Sequence, residues 1–258
     1  MNDKSNNFLA LILLSAYRSS PSRLNIKGKD YYFSIGIIWN TFKHLIIISG
    51  ISFIFAVGLK GAGLEIEYLF FNLLLWFYFA DIVNSTVSIK IEKSFLEFAG
   101  VNIYNLIFSH IYRTTIQWFI LLIFSIVLFF ILNIDIYETE ILIAFSLFTL
   151  TGFIYASVMT FLLHDQEFLI EIHQFFMQAL FFATATVIPI SIIPEVIRNY
   201  LLYIPIVHIQ EFIKAPITGI QLTYIDIFYP ILFILFGTVL LLPSLYFKGK
   251  KVYAKTNK

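Results

Sequence analysis

Among the residues able to do chemistry, Asp81 stands out by position, because it falls inside the apolar run 68–89. An acid at membrane depth is expensive, which by default makes it a working group. It lies about eight residues, or roughly 12 Å at 1.5 Å per residue, from the far end of that run. Two roles stay open for it: a structural acid hydrogen-bonded with Asn84 and Ser85 one turn on, or a contact to a proton or substrate. Proton coupling ordinarily uses several such groups, and no other apolar run of the chain contains an acid.

The remaining chemistry is mostly excluded. Cysteine is absent, so thiol catalysis and thiolate metal sites are impossible. His44, His110, His164, His173 and His208 show no close metal-ligand spacing, and no metal is expected. Glycines near Lys60 (GLKGAG) lack the spacing and the Lys-Ser/Thr of a phosphate-cradling loop, so the chain has no ATP engine of its own. No nucleophile elbow supports Ser/His/Asp catalysis. The chain reads as no enzyme, with no cofactor bound by it. Trp76, Tyr78, Trp118, Tyr155 and Tyr203 read as interfacial anchors or lipid-facing filler; an aromatic-lined conduit for sugars is the alternative. Path-lining candidates are accordingly Trp76, Tyr78, Asp81 and Asn84.

The elements that must position these residues follow from composition. Of 258 residues, 59% are hydrophobic and 13% charged, against roughly 45–50% and about 25% in a globular chain. Mean hydropathy is +0.86. Lipid is therefore the solvent for most side chains, and nucleic-acid binding, disulfide scaffolds and disorder lose their basis. Six apolar runs are long enough to span: 42–59, 68–89, 116–134, 141–163, 175–193 and 227–247. Each must be a helix, since a lipid-exposed backbone has to satisfy its own hydrogen bonds. The expected fold is an all-α polytopic membrane protein of one domain, 1–258: an N-terminus (1–41), a six-span bundle (42–247) and a basic tail (248–258).

Orientation follows from the cations. With the N-terminus cytoplasmic, that side holds Lys4, Arg18, Arg23, Lys27, Lys29, Lys43, Lys90, Lys93, Arg113, Lys248, Lys250, Lys251, Lys255 and Lys258, and the other side only Lys60, Arg198 and Lys214. The asymmetry places both termini in the cytoplasm. The near-zero net charge of +1 is thus a cancellation between two oppositely charged sides.

Three segments do not span. The apolar stretch 8–17, trailed by Arg18 and Arg23, reads as an interfacial helix; its basic flank lies on the wrong side for a signal peptide. Segment 90–115 mixes charge with Phe95, Leu96, Phe98 and Phe108 and suggests two short amphipathic cytoplasmic helices broken near Gly100 and Asn102. Segment 191–226 carries Pro194, Pro205 and Pro216, which predicts short helices starting near the first two and a turn at 216–219. These helices are too short to cross and read as re-entrant or interfacial on the outer side. His208, Glu211 and Lys214 follow one another at i, i+3 spacing, so they share a face and can pair locally. They read first as structural members of a hairpin, with gating of the outer mouth as the alternative.

In this layout the chain resembles an ABC-2 type permease, most closely the capsular polysaccharide and O-antigen exporters. The matching residues are Pro189 and Pro194 leaving the fifth run, then Ile204-Pro205-Ile206-Val207-His208-Ile209-Gln210-Glu211, where the family's proline, histidine and glutamate recur, Ile204 replaces its asparagine and Lys214 its arginine. Arg18, Arg23, Gly36 and Trp39 give a stretched version of the family's entry to the first span, with 25–32 as extra residues. The resemblance implies a homodimer in a bacterial inner membrane with two copies of a separate ATPase carrying ATP-Mg, the assembly being an ATP-hydrolysing translocase for a polysaccharide. It also implies a coupling helix around Glu92, Lys93, Phe95, Leu96, Glu97 and Phe98, outer gating residues Pro194, Pro205, His208, Glu211 and Lys214, and periplasmic and outer-membrane export partners. ABC-2 export of a drug, lipid or peptide, and a non-transporting membrane scaffold, are the alternatives.

Overall fold

The computed structural model describes residues 25–26, 29–30, 34–58, 66–87, 103–163, 167–184, 186–187, 190, 193–218 and 228–239. The expected interfacial helix at 8–17, the coupling segment with Glu92, Lys93, Phe95, Leu96, Glu97 and Phe98, and the basic tail lie outside the described residues. Among the described residues eight helices are seen: α1 (Ser34–Gly58), α2 (Ile66–Val87), α3 (Ile103–Ile131), α4 (Glu138–Leu163), α5 (Glu167–Ala183), α6 (Glu195–Leu201), α7 (Pro205–Thr218) and α8 (Phe228–Val239). The described residues are otherwise helical except for turns and one short antiparallel ladder, Asn25–Ile26 with Lys29–Asp30, within the extra N-terminal residues.

Ile66–Asn84, His110–Ile131 and Glu138–Thr160 are each long and apolar enough to cross a membrane, which makes this a membrane protein. Phe42–Gly58, Phe168–Phe182 and Phe228–Val239 are shorter apolar helices.

Several boundaries differ from expectation. The second of the two short helices expected within 90–115 is instead the start of α3, because nothing between Ile103 and Ile131 is glycine or proline and the ladder runs on unbroken. Helix α5 starts at Glu167 and stops at Ala183, ten residues before the end of the expected fifth run. The amide of Thr184 closes its last turn on the Leu180 carbonyl, and Thr184 and Thr186 then spend their hydroxyls on each other at 3.0 Å.

The chain divides into two compact units. In the first, α1 packs on α3, with His44 edge-on to Trp118 at 4.8 Å and Phe42 near Phe124 at 6.4 Å. Helix α3 buries Ile107, Ile111, Thr114, Trp118, Leu122, Ser125 and Phe129, while Tyr112, Ile116, Phe119, Ile123, Phe130 and other large apolar residues face outward. An apolar stripe turned outward suits hydrocarbon. The α3 C-terminus is closed by Asn133 at φ 53°, with the amides of Asn133 and Ile134 donating to the carbonyls of Phe130 and Phe129. That is the left-handed cap which glycine or asparagine supplies. Asn133→Val is expected to cost about 1–2 kcal/mol, whereas Asn133→Gly is neutral or stabilising, measured by thermal unfolding of the purified protein.

The second unit contains α2 and α4 to α8. Helix α2 is apolar nearly all round and correspondingly buried from Tyr68 to Trp76. It packs on α4 through Tyr78 against Phe145 and through Phe79 against Phe148 and Tyr155. Four hydroxyls inside α4 are satisfied locally: Ser146, Thr149, Ser157 and Thr160 each donate to the carbonyl four residues back. Helices α7 and α5 both pack on α4.

Candidate functional site

The segment after α5 is built on its prolines. Pro194 stands just before α6, and its carbonyl accepts from the amides of Ile197 and Arg198 at 3.0 and 2.9 Å. Proline costs nothing there, since the first-turn amides have no partner within the helix. Helix α6 ends in tight turns, Tyr203 amide to Tyr200 carbonyl and Ile204 amide to Leu201 carbonyl, and Pro205 opens α7. The two short helices therefore start where the proline spacing predicts. Pro216 does not end α7, which continues through it to Thr218 instead of turning.

His208 holds this turn. It is 3% exposed, and its Nε2 lies 2.7 Å from the carbonyl of Leu202 between the two helices. A carbonyl only accepts, so Nε2 carries the proton. Tyr229 on α8 donates to the next carbonyl, that of Tyr203, at 2.8 Å, and its ring lies 5.0 Å from the imidazole. One histidine and one tyrosine from different helices thus clamp adjacent carbonyls of a single turn. Ile190 and Val207 form the apolar core beneath it, packed by Ile193, Leu201 and Ile204.

On the buried side of α7, Gln210 is fully buried and donates from Nε2 to Thr186 Oγ1 at 2.7 Å, which continues to Thr184. Glu211 is half-buried and within electrostatic reach of Tyr68 on α2, beside the buried Asn72. Lys214 lies one turn further along α7. Several large side chains of this segment stand open: Val196, Tyr200 and Tyr203 are all more than two-thirds exposed.

The path candidates divide. Trp76 is buried against Phe79 and Phe181, both at 5.9 Å. Tyr78 is fully buried, stacked on Phe145 at 4.5 Å and 11°, with its hydroxyl 2.7 Å from Thr149 Oγ1. Because Thr149 spends its own proton on the Phe145 carbonyl, Tyr78 is the donor. Asp81 and Asn84, at i, i+3 spacing, are half-buried instead, and the Asn84 Oδ1 has no hydrogen-bond partner. Among the described residues no three His, Asp or Glu side chains converge on a metal position.

Sequence reasoning missed Tyr229, Gln210 and the two threonines. The available signals were a hydroxyl pair interrupting an apolar run at 184–186 and a tyrosine opening the last apolar run. No family model matches the chain, and neither does any curated protein.

Proposed function

We propose that this chain is the membrane-spanning subunit of an ATP-driven exporter of the ABC-2 type, moving a capsular or lipid-linked polysaccharide across a bacterial inner membrane. The observation that carries this reading is the pair of proline-opened helices after α5, with His208 of the Pro205-Ile206-Val207-His208 stretch holding the turn between them. In this reading α1, α5 and α8 supply the three spans beyond those formed by α2, α3 and α4. The α6–α7 pair sits re-entrant on the outer side, and both termini are cytoplasmic. A homodimer encloses the path on its two-fold axis, which lets one subunit build a conduit wider than its own bundle could enclose. Two copies of a separate ATPase hold ATP-Mg and act on the 92–101 segment.

Deletion of the chain is expected to leave glycan accumulating in the cytoplasm, and an ATPase is expected to co-purify with the tagged protein. Unchanged surface glycan with the ATPase still bound means a drug, lipid or peptide substrate. No bound ATPase means a scaffold. Glu211, within electrostatic reach of Tyr68, is first a structural member of the hairpin, and gating of the outer mouth is the alternative put to the test. If Glu211 gates, Glu211→Gln is expected to reduce export while the ATPase still co-purifies; loss of assembly assigns Glu211 to folding instead.

A further inference from the structure

Most hydroxyls in α4 close onto their own helix, but two do not. Thr151 is 2% exposed, and its Oγ1 is buried without a hydrogen-bond partner. One turn on, and so on the same face, the hydroxyl of Tyr155 is likewise buried and unpartnered. From α5, the His173 ring lies 5.8 Å from the Tyr155 ring at 31°; it is 5% exposed, and both of its nitrogens are buried without a partner. Four orphaned polar atoms on three neighbouring side chains cannot be left bare cheaply, since burial strips each of its bonds to bulk water.

A neutral imidazole offers one donor and one acceptor, and each hydroxyl offers a donor and acceptor sites. That set is complementary to water, which typically makes about three hydrogen bonds to otherwise unsatisfied buried groups. The Tyr155 ring also neighbours Phe79, 6.1 Å away, which has nothing polar to offer. We propose that Thr151, Tyr155 and His173 form a buried hydration site between α4 and α5, holding ordered water within the second unit. The site is independent of whether the chain exports anything.

Radiolysis of the full chain in lipid nanodiscs tests this, because hydroxyl radicals made in situ from ordered water oxidise the side chains beside it before they diffuse. His173 and Tyr155 are expected to be oxidised several times faster than Tyr78, which is fully buried but already bonded to Thr149. In His173→Phe the oxidation of Tyr155 is expected to fall toward the Tyr78 rate. Should that variant not fold, Tyr155→Phe with His173 as the reporter makes the same test. His173 as protected as Tyr78, or a Tyr155 rate unchanged in His173→Phe, overturns the site; in the first case a protein or lipid group, rather than water, covers these atoms.

Discussion

Tyr78→Ala is expected to destabilise the purified protein by about 3–5 kcal/mol, the cost of emptying a fully buried aromatic position. In hydrocarbon the driving force between helices is packing rather than water exclusion, so the loss comes from the stacked Phe145 contact and from the void left between α2 and α4. Tyr78→Phe keeps the ring and removes one neutral hydrogen bond, for about 0.5–1.5 kcal/mol. Thr149 remains satisfied in that variant by its bond to the Phe145 carbonyl. Unfolding of both variants in mixed micelles separates the two contributions. Should Tyr78→Ala leave stability unchanged and reduce transport alone, Tyr78 belongs to the wall of an open conduit and not to the core.

Gly237 is expected to be the least replaceable glycine described. A Cβ placed there collides with the Ile154 Cγ2, where α8 crosses α4. Ile154 is buried and β-branched, so its Cγ2 has no free rotamer into which to retreat. Overpacking of this kind costs about 1–3 kcal/mol, against which Gly→Ala recovers at most about 0.8–1.0 kcal/mol of helix propensity. Gly237→Ala should therefore destabilise, and Gly237→Leu should do so more severely. Gly50 is the internal control: it sits within α1 with open space around it, so Gly50→Ala is expected to be neutral or stabilising. Combining Gly237→Ala with Ile154→Ala should cost less than the sum of the single changes, because the second removes the atom the first strikes. Strict additivity in that cycle means α8 does not rest on Ile154.

Much of the fold was legible because membrane helices are dictated by local chemistry. Long apolar runs predicted the helices, and Pro194 and Pro205 located two helix starts to within a residue. Positions that failed were those where no local signal exists. The absence of a breaker after Asn102 let α3 absorb a segment expected to stand alone, and Pro216 was taken for a stop although α7 passes through it. Of the candidate site, His208 was singled out from spacing, but its bond to the Leu202 carbonyl depends on how the chain folds back over six residues.

What the sequence by itself determined is that this chain lives in a membrane as helices, since 59% hydrophobic content distributed in long runs permits little else. Which face of each helix turns inward was decided only by the tertiary structure. In a soluble helix, polar residues mark the outward side. Here α2 and the membrane-length part of α3 are apolar nearly all round, so composition could not tell that α2 is buried and α3 presents an open apolar stripe. Packing between helices made that choice, and it is packing that turned Trp76 and Tyr78 into core and left His173 and Tyr155 with polar atoms still to be satisfied.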